Sequence, residues 1–361
     1  MNNSQAVKFI CHCLSLDENH EHLVKVIQQE AIEWMLIAKL SSQYLLTPAL
    51  YWHCKIKQIL AYMPNDFVTY LETIFELNKE RNKGLLKDTR LVASTLNEIG
   101  VEPVITKGGA SFLDETYPDI GIRVTGDIDV LVPVSRLDDC VEQLKMVDCV
   151  PMPHAVPYGH QYQALYLKET GNKIDLHFKV IQVRSEYLLS TDKVVSRRIH
   201  LHHDNYRLSI PCPTDRIMHN ILHSQLSDRN YSRGSFNLSQ NYDFNIISNS
   251  LLEDVDWKEI ISEFSAKNAL PVLQHYLSVA KVLFGSPFPE GIKASKKVEN
   301  QVEKFIEDPD QKWAKRWRHI RHFLSVRLKG LKQHPVIIFR IFTVSFYMRF
   351  AGKISALIKS N

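Results

Sequence analysis

The chain has 361 residues, 45% apolar and 23% charged, an ordinary soluble globular composition with length enough for two domains and a sizeable core. Six cysteines, at 11, 13, 54, 140, 149 and 212, form no CxxC pair, which excludes a disulfide framework or cysteine zinc site and points to a reduced, cytoplasmic protein. The net charge of +4 is uneven: residues 301–361 hold thirteen Lys/Arg and four Asp/Glu, a local +9, so the remainder carries −5.

The first residues, MNNSQAVKFICHCLSLDENHEH, carry one early lysine and an apolar patch broken by His12, so no signal peptide is expected. Residues 20–60 show helix-like apolar spacing around Leu23, Ile27, Trp34 and Ile37. The stretch 66–99 is clearer, because Leu85, Val92, Leu96 and Ile99 fall on one helical face and Gly100 supplies a stop. VEPVIT reads as a short buried strand ended by Gly108-Gly109, and IDVLVPV (128–134) as a second strand. Ser135 with Asp138 suggests a near-capping box for a helix through about 146. Residues 161–181 read as two strands joined at Thr170-Gly171-Asn172. In the second arm Ile174, Leu176, Phe178 and Val180 alternate with Lys173, Asp175, His177 and Lys179, giving one apolar and one polar face. From 213 onward the pattern is mostly helical, with a Ser/Asn-rich loop at 227–241 as a candidate mobile lid. No internal repeat or low-complexity tract is evident. Strands gathered in one segment predict an α+β fold, a small mixed sheet flanked by N-terminal and C-terminal helical regions. The expected divisions are 1–99, 100–185, 186–300 and a basic, apolar tail, 301–361.

Asp127 and Asp129, two apart on a predicted strand, project from one face with Cα atoms about 6.5–7 Å apart. Carboxylates that close raise each other's pKa unless a cation lies between them. Hard ions such as Mg²⁺ suit such oxygen donors and keep sites for waters and phosphates. Asp175 is a third carboxylate if its strand is a neighbour, and three suit a two-metal phosphoryl or nucleotidyl displacement. Gly108 and Gly109 allow backbone N–H groups close to phosphate oxygens, with Lys107, the Ser111 hydroxyl and Arg123 in reach. A D-x-D alone is weak, since about one is expected by chance in a chain of this length. Asp254/Asp256 reads as a helix N-cap and Asp308-Pro309-Asp310 as a turn, leaving 127/129 as the pair that follows a Gly-Gly turn and opens an apolar strand. Against these readings stand blander ones. Asp127 and Asp129 cap backbone or meet Arg123, Asp175 pairs with Lys173 or Lys179, and Lys107 is a solvated turn residue. His177 contacts a phosphate, orients a carboxylate, or makes a structural bond.

Lys107-Gly108, Arg123-x-x-Gly126-Asp127-Ile128-Asp129 and Asp175-Leu176-His177 resemble the nucleotidyltransferase superfamily typified by DNA polymerase β, and more closely its bacterial "uncharacterised nucleotidyltransferase" branch. The likeness covers roughly 75–285 and is most specific over 105–178. Phe178 departs from it, the branch commonly having tryptophan there. The resemblance implies that Asp127 and Asp129 hold Mg²⁺ or Mn²⁺, that Asp175 completes the site and helps deprotonate an acceptor hydroxyl, and that Gly108 and Gly109 hold the triphosphate. A nucleoside monophosphate would pass from an NTP to an acceptor, whether small molecule, glycan, protein or RNA, with release of pyrophosphate. Two further readings are a non-catalytic nucleotide-binding module docking on a membrane or polysaccharide-assembly partner, and a toxin-type enzyme modifying RNA or protein.

Other signals are weaker. His200 and His202 share a strand face but lack a third placed ligand, so a polar edge strand is expected. His219 and His223 have zinc spacing on a helix, yet Asn220 stands where a zincin needs glutamate. They face the cleft or pack. In the tail, Trp313, Trp317, Ile320 and Leu324 share a helical face, and the apolar run after Pro335 is broken by Arg340, Arg349 and Lys353. Each such charge costs about 2.5–3.5 kcal/mol at a bilayer centre, which disfavours a span. Packing on the helical region and peripheral contact at the inner membrane surface remain open.

Overall fold

The computed structural model describes residues 1–17, 20–152, 159–203, 205–233, 235–286 and 288–307. The readings made for the tail, including its tryptophan face, its apolar run and the turn at Asp308–Asp310, lie outside the described residues. Among these, no helix is long and apolar enough to cross a membrane.

The fold is α+β. Seven strands form one mixed sheet: β1 (Val104–Ile105), β2 (Ile128–Leu131), β3 (Cys149–Pro151), β4 (Gln161–Leu167), β5 (Lys173–His177), β6 (Ile199–His203) and β7 (Tyr206–Ile210). Their order is β3-β4-β5-β2-β1-β7-β6. β2 runs parallel to β5 and antiparallel to β1, and β1 runs parallel to β7. The β4–β5 hairpin forms where the turn residues predict it: Gly171 takes φ +67°, a conformation any side chain would strain. β6 is an edge strand with His200 and His202 exposed and their rings stacked, as expected of a polar edge.

The helix Asn65–Asn97, 33 residues and about 50 Å long, joins two cores. Its first half places Phe67, Leu71 and Phe75 among the N-terminal helices, in a cluster with Phe9, Ile10 and Leu50. Its second half lays Leu85, Val92 and Leu96 on the sheet beside Val130, Ile174 and Leu176. Gly100 follows at φ +74°, the left-handed stop the sequence suggests. A third cluster, with Ile217, Phe244, Leu273 and Tyr276, packs the C-terminal helices beside Val104 and Leu131.

Two local expectations need correction. Ser135 does not cap a helix; Val134–Arg136 form a 3₁₀ turn, and the helix Leu137–Lys145 begins without a side-chain cap. The segment 227–241 is largely folded rather than a loop. The helix Asn230–Arg233 lies within it and the helix Leu238–Ser250 starts before its end. Asn230 Nδ2 donates to Ser224 Oγ at 3.1 Å, and Ser235 Oγ donates to Asn230 Oδ1 at 3.0 Å. Buried side-chain bonds of this kind tie the segment down.

Candidate active site

The parallel pairing of β2 with β5 sets Asp129 opposite Asp175 in register, so the two side chains leave the same face side by side. Both are buried, as is His177 one turn of the pleat further on. Each of the three offers one ligand atom, and these atoms lie within 4.8 Å of one another. Asp127 precedes β2 and is the more open carboxylate, its side chain 34% exposed.

The cations that meet these anions belong to the chain itself. Lys107 Nζ lies 2.5 Å from Asp129 Oδ1, and His177 Nε2 donates to the same oxygen at 2.9 Å. Lys173, two residues before Asp175 on the same strand face, bonds Asp175 Oδ2 and lies 3.4 Å from Asp127 Oδ2. Burial works against the Asp129 charge, but Lys107 and His177 outweigh it and hold the carboxyl well below its ordinary range. Asp175 goes the other way, pushed up by burial with Lys173 offsetting only part. Lys107 is raised despite its own desolvation, because Asp129 and Asp127 favour its charge. His160 stacks on His177, ring centroids 5.0 Å apart, and burial lowers it to about 3, so it stands neutral.

This donor set fits a divalent ion. Asp175 Oδ1 is buried with no hydrogen-bond partner among the described residues, a cost a protein rarely carries without a use for the atom. Oxygen donors predominate, which favours a hard cation.

The glycine turn differs from expectation. β1 ends at Ile105, and the helix Lys107–Leu113 starts at once, with Lys107 itself at φ +51°. Gly108 does face the cleft, but an added Cβ would lie 2.8 Å from both Arg123 Cζ and Thr125 Oγ1. The missing side chain leaves room for the Arg123 guanidinium. At Gly109 a Cβ would lie 2.6 Å from Ile105 Cγ2, so that glycine serves helix-to-strand packing.

Arg123 is paired: Nε and Nη2 donate to Asp243 at 2.7–3.1 Å, and Nη1 donates to Thr125 Oγ1 at 2.7 Å. Ser111 Oγ accepts from Arg216 Nη2 at 3.0 Å, while Arg216 Nη1 pairs with Asp114. Arg123, Asp243, Thr125, Ser111 and Arg216 wall a cavity of about 340 Å³ that Lys107, Asp127, Asp129 and His219 also line. A neighbouring cavity of about 210 Å³ shares Arg123 and Asp243 with it, and Leu45, Leu46 and Ala49 of the N-terminal region close its far side. His219 and His223 thus face the cleft. Burial lowers both, and His219 Nε2 has no partner.

Sequence reasoning missed Asp243 and Arg216. A local signal was present: Asp243 stands between the aromatics Tyr242 and Phe244, and Arg216 directly precedes Ile217-Met218. Charges there are buried only when paired.

A mixed sheet carrying adjacent in-register aspartates beside a lysine-glycine helix start is an arrangement compatible with nucleotidyl transfer. The chain belongs to the uncharacterised nucleotidyltransferase family, whose model matches residues 30–285. The protein is therefore a nucleotidyltransferase. Among solved structures it is similar to the antibiotic-resistance factor ANT(2'')-Ia, at 12% identity over 53% of this chain and 94% of that one, TM-score 0.36. It is also similar to an antigenic nucleotidyltransferase-like protein from Paracoccidioides brasiliensis, at 16% identity over 51% and 86%, TM-score 0.35. No curated protein matches it.

Proposed function

We propose that the protein moves a nucleoside monophosphate from an NTP to a hydroxyl-bearing acceptor, with Asp127, Asp129 and Asp175 holding Mg²⁺ or Mn²⁺. The acceptor oxygen bonds to the α-phosphorus, the bond from that phosphorus to the bridging oxygen breaks, and pyrophosphate leaves. The bound ion supplies charge neutralisation at the phosphates and orients them. Lys107, the Gly108 backbone and the Ser111 hydroxyl face the triphosphate, and Arg123 and Arg216 fix the walls that confine it. Asp175 takes the acceptor's proton, and His177 holds the Asp129 carboxylate in place. Gly109 supports the turn from within. The chain divides on this reading into an N-terminal helical region (1–99), a catalytic core (100–185), a helical substrate lobe (186–300) and a tail (301–361).

The observation that supports it best is the in-register Asp129–Asp175 pair with one Asp175 oxygen unpartnered. The test is incubation with each α-labelled NTP, Mg²⁺ or Mn²⁺ and cell extract, following pyrophosphate release and the molecule that acquires label. Asp129→Asn should abolish both. Transfer at the wild-type rate by that variant would remove the assignment. A cytoplasmic location with the tail at an anionic membrane surface is part of the same proposal, supported by the tail's +9 charge. Equal sedimentation with anionic vesicles of the full chain and a chain ending at residue 300 would refute it.

A further inference from the structure

We infer that Lys173 is a built-in competitor of the divalent ion: its ammonium occupies the space between Asp127 and Asp175, and the ion enters only as that ammonium withdraws. The inference rests on the carboxylate assignment above and concerns how the site is filled.

Lys173 and Asp175 are two apart on β5, so both side chains leave the sheet on one face. Lys173 Nζ bonds Asp175 Oδ2 and reaches within 3.4 Å of Asp127 Oδ2, bridging two of the three carboxylates. Lys107 serves the third, Asp129. Three carboxylates thus meet two ammonium groups, leaving a formal charge of −1. A divalent ion added with both lysines in place would make the cluster +1 and set like charges within a few ångströms in a partly desolvated site. One ammonium must leave.

Position decides which. Lys107 lines the cavity where phosphates would lie, so a withdrawal from Asp129 still leaves it useful contacts. Lys173 does not line that cavity, and of the lining residues Asp127 is the one it pairs with, so its withdrawal gives up no other ion pair there among the described residues. Its bonds are to the two carboxylates. Its side chain is 22% exposed, against 8% for Asp175, and its four-carbon stem can carry the head group outward to water. The bridge therefore keeps the carboxylates together and compensated when no ion is bound, at the expense of ion affinity.

The test is Mn²⁺ binding to the full chain, by electron paramagnetic resonance and calorimetry, without nucleotide. Lys173→Gln should bind Mn²⁺ on the order of tenfold more tightly than wild type, since removing an adjacent like charge is an effect of that size. Its metal-free melting temperature should fall, and Mn²⁺ should raise it by more than in wild type. Lys173→Arg keeps the charge and should bind no more tightly than wild type, which provides a reading even if the neutral variant folds poorly. Asp175→Asn reports on the site itself. If Asp175→Asn loses Mn²⁺ while Lys173→Gln binds as wild type does or more weakly, the carboxylate site stands and the competition by Lys173 is refuted. If Lys173→Arg binds tenfold more tightly, it is refuted equally. If Asp175→Asn binds Mn²⁺ unchanged, the metal assignment fails instead.

Discussion

Gly108→Ala tests whether the glycine turn exists to seat Arg123. An alanine Cβ would overlap Arg123 Nη1 outright and stand 2.8 Å from the guanidinium carbon, where contacts favour about 3.5–4.0 Å, so the group must retreat by more than about 1 Å. Its bonds to Asp243 span 2.7–3.1 Å and lose their strength beyond about 3.2 Å, so a shift of that size breaks most of them. Overpacking costs about 1–3 kcal/mol, and removing one partner of a buried pair about 3–5 kcal/mol. Displacement is milder than removal, which sets the expectation at about 2–4 kcal/mol. Urea unfolding of the variant, of Arg123→Ala and of the double variant measures it. Without the guanidinium the space is free, and alanine's helix preference of about 1 kcal/mol over glycine then makes Gly108→Ala neutral or stabilising. If Gly108→Ala costs the same in both backgrounds, Arg123 is not what the glycine accommodates.

Burial lowers His53 to about 3, with Lys57 contributing. Its unfolded form takes a proton near pH 6.5 and its folded form does not, so the stability it contributes is complete above that pH and is lost as pH falls toward 3. From pH 7.5 to 5.5 this amounts to about 1.4 kcal/mol, and His53→Gln should flatten the stability profile by that amount in urea titrations; an unchanged slope refutes it. Arg216 donates to Ser111 and Thr116 and pairs with Asp114 with its side chain 5% exposed. Arg216→Met should therefore cost about 3–5 kcal/mol in thermal or urea unfolding. Arg216→Lys should recover little, since a single ammonium cannot reproduce the planar fork.

How much of this the sequence discloses depends on the distance over which each feature is determined. The alternation along 173–180 marks a strand with one polar face, and β5 buries Ile174 and Leu176 in the sheet core while presenting Asp175 and His177 to the site. The nucleotidyltransferase resemblance follows from motifs of a few residues, and the α+β class from strands gathered in one segment. The Ser135 cap fails because Ser135 lies inside the 3₁₀ turn Val134–Arg136, from which the helix enters. The supposed loop at 227–241 has a loop's composition, yet its serines and asparagines hydrogen-bond one another inside the fold. Composition identifies hydrogen-bonding capacity, and only the tertiary structure supplies the partners. The Lys173–Asp175 pair is among the readings the sequence offers, but the reach of Lys173 to Asp127 emerges only once β2 lies beside β5.

The charged pairs around the cleft follow one rule. Arg123 lies 120 residues from Asp243 and Arg216 lies 102 from Asp114, and each pair joins the segment around β1 and β2 to a helix beyond residue 212. Both guanidiniums line the cleft while paired to a carboxylate. The carboxylates follow the same rule at shorter range, with Lys107 and Lys173 as internal counterions. A cleft whose charges are largely compensated within the chain can fold without ion or nucleotide, since most of its buried charge already has a partner. If the site takes a divalent ion as proposed, binding there is exchange rather than addition: the incoming cation replaces an ammonium contact the protein already makes, so its affinity reflects a difference between two sets of ion pairs and responds steeply to the loss of a single lysine.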